Sequence, residues 1–414
     1  MASTYDIIVF GATSFVGQIL ADHLQKQANE NPDLTWAIAG RSETRLNDVK
    51  KALGLNAANL PIIVADASDE KALRSMCEQT RVVVSTVGPY ALYGSELVRV
   101  CAETGTDYCD LTGEAQWIKK MISQHEATAK ASGARIVNCC GFDSIPSDLG
   151  VFYLQQNAKE KFSTTCNRVT MRVKAAKGSF SGGTVASIVN AVKDAMNDPS
   201  VRKILGNPYS ICPEGHPYKT RQFNQKSAVL DKDFNAWTAP FVMAAINTKV
   251  VFRSNALLES EYGEDFTYDE AMLTGRGVKG RMTAMSISAF LGAFVAATVV
   301  KPSRWLLEKY VLPKPGEGPT AKEQEAGYYD LRFVGKTASG EEIRTKVTGD
   351  RDPGYGSTSK MLGQAAICLA KDIPKAEKSG GFWTPSSVFG QKLIERLETH
   401  AGVGFSVISD NRDH

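Results

Sequence analysis

The run Tyr5-Asp6-Ile7-Ile8-Val9-Phe10 passes without a spacer into Gly11-Ala12-Thr13-Ser14-Phe15-Val16-Gly17 and then into a helical pattern. Few architectures turn a strand straight into a helix on glycines. Gly11 permits the tight turn, Gly17 lets helix and strand pack closely, and the free N–H groups at the helix start suit a pyrophosphate. The pattern therefore predicts a dinucleotide site that includes Gly11, Thr13, Ser14, Phe15 and Gly17. Ser14 stands where the usual pattern has its middle glycine; it is small, and its hydroxyl can itself contact phosphate.

The second strand, Leu34 to Ala39, ends in Gly40-Arg41-Ser42. A carboxylate is usual here in sites that prefer NAD, where it accepts hydrogen bonds from ribose hydroxyls. Arg41 and Ser42, with Arg45 one helical turn on, suit a 2′-phosphate instead, because a guanidinium pairs with it bidentately. The expected cofactor is NADP(H). The plainer alternative makes Arg41 and Arg45 solvated residues at a helix start.

Strands and helices go on alternating through the first half. Leu60 to Ala65 reads as a third strand ending at Asp66, which either touches the adenine edge or caps the next helix. A fourth, Arg81 to Thr86, runs into Val87-Gly88-Pro89-Tyr90-Ala91-Leu92-Tyr93-Gly94. Alternation of this kind predicts a parallel sheet with helices on both faces and ligands at the strands' carboxyl ends. Val87, Gly88, Pro89 and Tyr90 then become candidate nicotinamide neighbours. Two further strands end in Asp110-Leu111-Thr112-Gly113-Glu114 and in Gly141-Phe142-Asp143-Ser144-Ile145-Pro146-Ser147-Asp148.

A length of 414 residues allows two domains with full cores. The fold class expected is α/β: an N-terminal Rossmann domain with a parallel sheet, plus a second α+β domain with a mixed sheet. The boundaries expected are 1–150 for the NADP-binding domain, 151–385 for the substrate and dimerisation domain, and 386–414 for a segment packing back on the Rossmann domain. A net charge of +3 is too small to argue for nucleic acid. Eight scattered cysteines without a C-x-x-C pair fit reduced thiols in an intracellular, cytoplasmic compartment, and no secretory signal is visible. The five histidines lack any i, i+4 pairing, so no metal is expected.

In this order, Gly11 to Gly17, Ala39-Gly40-Arg41, Val87-Gly88-Pro89-Tyr90 with Tyr93-Gly94, Asp110 to Glu114 and Gly141 to Asp148 resemble the saccharopine dehydrogenase-like oxidoreductases. Pro240-Phe241-Val242-Met243, Gly354-Tyr355, Gly380 to Pro385 and Phe405-Ser406-Val407 extend the resemblance over nearly the whole chain. The nearer branch includes the trans-acting enoyl reductases. The resemblance implies NADP(H) on the Rossmann domain and hydride transfer to an enoyl or imine carbon of a lipid-like small molecule. Saccharopine chemistry itself is not implied: of the glycine- and proline-containing loop that those enzymes carry at Gly141, only Gly141 and Asp143 match.

The proton for such a reduction comes from a side chain or water, and Tyr93, Asp143 and Glu114 are the candidate catalytic acids. Each has a structural alternative: Tyr93 as a packed turn aromatic, Asp143 as a loop brace, Glu114 as a helix start. Asp148 reads as a cap.

Residues 283–300 carry no charge and lie between Arg281 and Lys301; as a helix they reach about 27 Å, the lower limit for a bilayer. A buried or dimer-facing helix competes with membrane contact. The lipid-droplet association of the family's human member favours peripheral attachment to a droplet or membrane. The alternative to an enzyme is a non-catalytic nucleotide-binding scaffold at such a surface.

Overall fold

The computed structural model describes residues 3–178, 182–299 and 318–408. In it the first strands are β1 (Tyr5–Phe10), β2 (Trp36–Gly40), β3 (Ile62–Val64), β4 (Thr80–Ser85), β5 (Asp107–Asp110) and β6 (Arg135–Val137). They pair in parallel in the order β3-β2-β1-β4-β5-β6, with Val9 opposite Ile38 on one side and Val84 on the other. Ile7, Ile8 and Val9 are all fully buried, as a strand covered by helices on both faces requires. The order reverses at β1, so a crevice opens between the carboxyl ends of β1 and β4.

The second sheet is mixed. Its strands are β7 (Arg168–Lys177), β8 (Val229–Asp231), β9 (Ala236–Pro240), β10 (Thr267–Gly275), β11 (Tyr328–Lys336) and β12 (Glu342–Gly349), joined by a tail strand described below. β7 and β10 run parallel while β11 and β12 form the antiparallel hairpin expected around Ser339-Gly340. The helix Ile145–Phe162 leaves the last loop of the first sheet and packs on the second, where the ring of Phe333 fills the space beside Gly150. One helix thus belongs to both cores.

The tail departs from the expected boundaries. β13 (Gly381–Trp383) pairs with β6 as the seventh strand of the parallel sheet, although it falls within the segment assigned to the second domain. β14 (Val403–Val407), expected to return to the Rossmann domain, instead pairs with β12 at the edge of the mixed sheet. The physical reason is apolar side chains: Phe382 and Phe405 are each buried in the core they join. A buried pair fixes the crossing. Arg135 on β6 donates from Nε to Asp107 on β5 at 3.1 Å, and its remaining donors reach the carbonyls of Ile373 and Leu369.

Other differences are local. The stretch 198–240 holds a helix, Pro199–Gly206, and both β8 and β9, so only 207–228 is irregular. The helix expected from Pro240 begins at Ala244, because Pro240 still pairs with Ala271. Of the acidic span from Pro313, the described part includes a short helix, Ala321–Glu325, started by a capping box on Thr320. Asp148 does not cap its own helix. Its carboxylate accepts from the amide of Ser386 at 2.7 Å and from Ser254 Oγ at 2.5 Å, so it caps the helix Pro385–His400.

The apolar stretch lies in a 23-residue helix, Gly277–Val299, about 35 Å long. Gly280, Ala284 and Thr298 are buried on one narrow stripe. The rest faces outward, with Val278 76 % and Phe290 69 % exposed, which removes the fully buried reading. Lys301, Arg304 and Trp305 lie outside the described residues.

Breaking the pair at the domain crossing should be costly. Asp107→Ala leaves a buried guanidinium without its counter-ion, and we expect a loss of about 3–5 kcal/mol in urea unfolding. A loss below about 1 kcal/mol would show that the carbonyls of Ile373 and Leu369 hold Arg135 unaided.

Candidate active site

The glycine turn is built by close approach. Gly11 has φ +91°, and a Cβ there would lie 2.7 Å from Val87 Cγ2 and 2.8 Å from Thr86 Oγ1. A Cβ on Gly17 would lie 2.3 Å from the Gly11 carbonyl oxygen. No other residue fits either place. Thr86, which sequence reasoning passed over, ties the two strand ends: its Oγ1 donates to the Gly11 carbonyl at 2.9 Å and lies 3.0 Å from Ser14 Oγ. Ser14 caps the helix Phe15–Glu30 by accepting from Gly17 N at 2.9 Å. Its hydroxyl is thus already engaged within the turn. The amides of a helix's first turn have no partners inside the helix, and here they open on the crevice at the β1 end.

At the end of β2, Arg41 is exposed, and Ser42 Oγ accepts from Arg45 N at 3.4 Å. Arg45 Nη2 reaches the Thr13 carbonyl at 3.5 Å, so two guanidinium groups stand between the glycine turn and the second strand. Asp66, after β3, neither caps the following helix, which Asp69 does, nor is left without partners. Two hydrogen bonds from Ser68, with Arg41 nearby, hold its carboxyl below the usual range. The close-packed glycines, the helix start and the paired arginines fit a dinucleotide with a 2′-phosphate.

The loop after β4 is clamped by a carboxylate. Glu114 is 1 % exposed, and its two oxygens accept from Tyr90 N at 2.9 Å and Ala91 N at 3.0 Å. Ser187 Oγ, from the helix Gly182–Asn197, donates to the same carboxylate at 3.0 Å. Glu114 therefore holds Val87, Gly88 and Pro89 in place and ties them to the second domain. Tyr90 is buried against Trp117 and donates its hydroxyl to the Ser85 carbonyl at 2.9 Å; burial raises its pKa well above the ordinary value. Tyr93, three residues on, is 51 % exposed.

Asp143 has different surroundings. Its Oδ2 lies 3.8 Å from where a Cβ on Gly113 would stand, beside Glu114 in sequence. Among the described residues no hydrogen bond or ion pair reaches it, and burial of the carboxyl pushes its pKa up to about 7. The loop around it is fixed by others. Phe142 N donates to Thr358 Oγ1 at 3.0 Å, and Thr358 Oγ1 donates to the Pro353 carbonyl at 2.8 Å. Behind it, Ser144 Oγ donates to Asn247 Oδ1 at 3.2 Å, and Asn247 Nδ2 donates to Glu270 at 3.0 Å. Burial raises Glu270 to about 7 as well. Thr358, Asn247 and Glu270 escaped sequence reasoning because their neighbours here come from distant parts of the chain. The turn Pro353–Ser357, held by Asp352, sets Tyr355 edge-on to Phe15 at 5.0 Å and closes the glycine turn from the second domain.

Residues 7–137 match the saccharopine dehydrogenase NADP binding domain. A Mycobacterium tuberculosis protein named provisionally as a trans-acting enoyl reductase is 40 % identical over 411 residues, 96 % of each chain. A trans-acting enoyl reductase of Mycobacterium leprae is 35 % identical over 409 residues, again 96 % of each chain. The chain belongs to the saccharopine dehydrogenase-like oxidoreductases. It falls in their branch with the trans-acting enoyl reductases. Saccharopine dehydrogenase of Saccharomyces cerevisiae superposes with a TM-score of 0.56 over 98 % of this chain and 100 % of its own, at 11 % identity, which is a likeness of fold. The protein is thus an NADP-binding oxidoreductase of this family, with a Rossmann domain and a mixed-sheet second domain.

Arg41→Asp should weaken NADPH binding at least tenfold while leaving NADH binding within about threefold, because the new carboxylate repels the 2′-phosphate and can accept from a ribose hydroxyl. Fluorescence titration with both nucleotides reads the difference. Equal losses would mean that Arg41 is only a solvated residue.

Proposed function

We propose that the protein is an NADP(H)-dependent reductase of a C=C or C=N bond in an apolar or lipid-linked substrate, with Asp143 as the proton donor. The observation that carries this reading is the state of Asp143: a carboxyl protonated up to about pH 7, free of partners, on the loop between the two domains. NADPH bound along the glycine turn supplies a hydride. A reduction also needs a proton, and the chain's part is to hold one at Asp143 and to shape the cleft. Glu114, with both oxygens occupied by amides, positions the loop at Val87–Pro89 rather than giving up a proton. Tyr93 is half exposed and lies on a short helix that Glu114 fixes. The names of the curated relatives favour an enoyl acceptor.

The outward helix Gly277–Val299 supports a lipid setting. Val278, Met282, Met285 and Phe290 are exposed together, more apolar surface than water tolerates without a partner. Arg276, Lys279 and Arg281 at its start suit anionic headgroups. We take a lipid surface as its partner and peripheral attachment as its mode, since one stripe of the helix already packs on the second domain.

Asp143→Asn should lower kcat for an enoyl thioester acceptor by about 10²–10⁴-fold with NADPH affinity unchanged. In the wild type the rate should fall as pH rises through about 7, where Asp143 loses its proton. Full NADPH binding without turnover on any enoyl or imine acceptor would favour the scaffold instead. The same carboxyl affects stability. Its pKa is 3.8 in the unfolded chain and about 7 folded, so the ionised form costs stability increasingly between these values and by a constant amount above them. Asp143→Asn should therefore melt above the wild type at pH about 8 and level with it near pH about 4. A gap independent of pH would remove the titration argument.

Phe290→Asp should release the protein from phosphatidylcholine vesicles containing an anionic lipid, as read by flotation. Unchanged flotation would detach the helix from this role, and loss of self-association in sedimentation instead would assign the face to a second copy of the chain.

A further inference from the structure

The mixed sheet has a second cavity-forming face. Phe333 and Met171, paired on β11 and β7, point to the helix Ile145–Phe162, so the alternate positions Arg332 and Arg172 face away from it. On that outer side the sheet and the helix Gly277–Val299 enclose about 530 Å³, within the range of small-molecule sites. Residues at the dinucleotide edge contribute nothing to the lining.

The lining is cationic and apolar together. Lys174, Arg276, Arg332 and Arg344 contribute to it, and no Asp or Glu does. The charges around it are nevertheless partly paired. Arg332 donates to Asp330 from Nε at 2.6 Å and from Nη2 at 2.8 Å, and Arg344 donates to Glu342 from Nε at 2.7 Å and to the Asp233 carbonyl at 3.0 Å. Arg172, on the same face, is neutralised by Asp231 and Asp269. Two carboxylates thus offset two of the four lining cations. Arg332 is more than nine-tenths buried, and its Nη1 has no hydrogen-bond partner. A buried guanidinium nitrogen left without an acceptor is costly, and an incoming oxyanion removes that cost. The remaining wall includes Leu273 on β10, Val334 on β11, and Thr283 and Ile287 on the apolar helix. From Ile287 the surface continues to the exposed Met285 and Phe290.

We infer that this cavity binds the anionic head, carboxylate or phosphate, of a single-chain amphiphile whose hydrocarbon tail runs out along the helix Gly277–Val299. The site goes beyond the reductase reading and does not depend on it. The guanidinium groups at the base pair with the head, and the helix face covers the tail. A purely apolar ligand would leave Arg332 Nη1 unpaired, and a free anion would leave the apolar helix face uncovered.

The test uses the full-length protein and cis-parinaric acid, with its methyl ester as the uncharged match. The acid should bind at least tenfold more tightly than the ester. Arg332→Gln should weaken the acid at least fivefold, with the ester and NADPH affinities unchanged. Because Arg332 is buried, Arg276→Gln on the exposed rim is the second variant, with a smaller loss of about threefold in the same direction, and melting curves confirm that each is folded. Dodecyl phosphate should displace the probe at concentrations where inorganic phosphate does not. Equal affinity for acid and ester, or unchanged acid affinity in both variants, would overturn the cationic cavity as the site. Displacement by inorganic phosphate as effective as by dodecyl phosphate would overturn the amphiphile in favour of a free oxyanion.

Discussion

The contact of Gly17 with the carbonyl oxygen of Gly11 decides the rest of the nucleotide domain. With a Cβ position only 2.3 Å from that oxygen, any side chain at residue 17 would push the helix Phe15–Glu30 away from β1. That helix carries Leu20, Ala21 and Leu24 into the same core that holds Ile7 and Val9, so the displacement would open the core as well as the turn. Thr86 keeps β4 in step by bonding to the same carbonyl group. The cradle for phosphate and the packing of the sheet are therefore one constraint.

Much of this was legible because it is local. A strand, a glycine turn and a helix occupy neighbouring residues, so Gly11, Ser14 and Gly17 declare themselves by spacing, and the alternating strands predict a parallel sheet. The β11–β12 hairpin was legible for the same reason. The tail was not. Gly381–Trp383 is too short for a period, and what makes it a strand is the open edge of β6, more than two hundred residues earlier. Asp148 shows the same limit: its place beside Pro146 suggests a cap on its own helix, whereas its partners are Ser254 and Ser386. The candidate acids could be found by their position at strand ends but not ranked, because ranking needs their partners. Glu114 is occupied by two amides and Asp143 by none, and only folding decides that.

The buried carboxyls divide by what surrounds them. Asp110 accepts from the amides of Thr112 and Cys139 and from Asn138, and Asp148 from Ser254 and Ser386, yet burial still lifts both to about 6. Asp143 and Glu270 reach about 7. Hydrogen-bond donors stabilise the charged form and pull against desolvation, so the group with fewest donors keeps its proton longest. A protein that needs a neutral acid near neutral pH can obtain one by withholding donors, and Asp143 is the loop carboxyl treated in this way. The rigidity that such a site needs comes from other residues: Thr358 holds the loop's backbone, which leaves the carboxyl itself unencumbered.

The second domain has two faces with different demands. Its inner face shares the helix Ile145–Phe162 with the nucleotide domain, which fixes Asp143 relative to the glycine turn and leaves little freedom to move one without the other. Its outer face has no such duty and carries what a solubility argument would remove: an apolar helix with Phe290 and Met285 exposed, above strands rich in arginine. Neither feature helps the other in water. At an interface they become complementary, because the arginines reach charged heads while the helix meets hydrocarbon, and each then satisfies the other's unmet surface. The division also keeps attachment away from the chemistry: a partner held on the outer face does not cover the crevice at the carboxyl ends of β1 and β4.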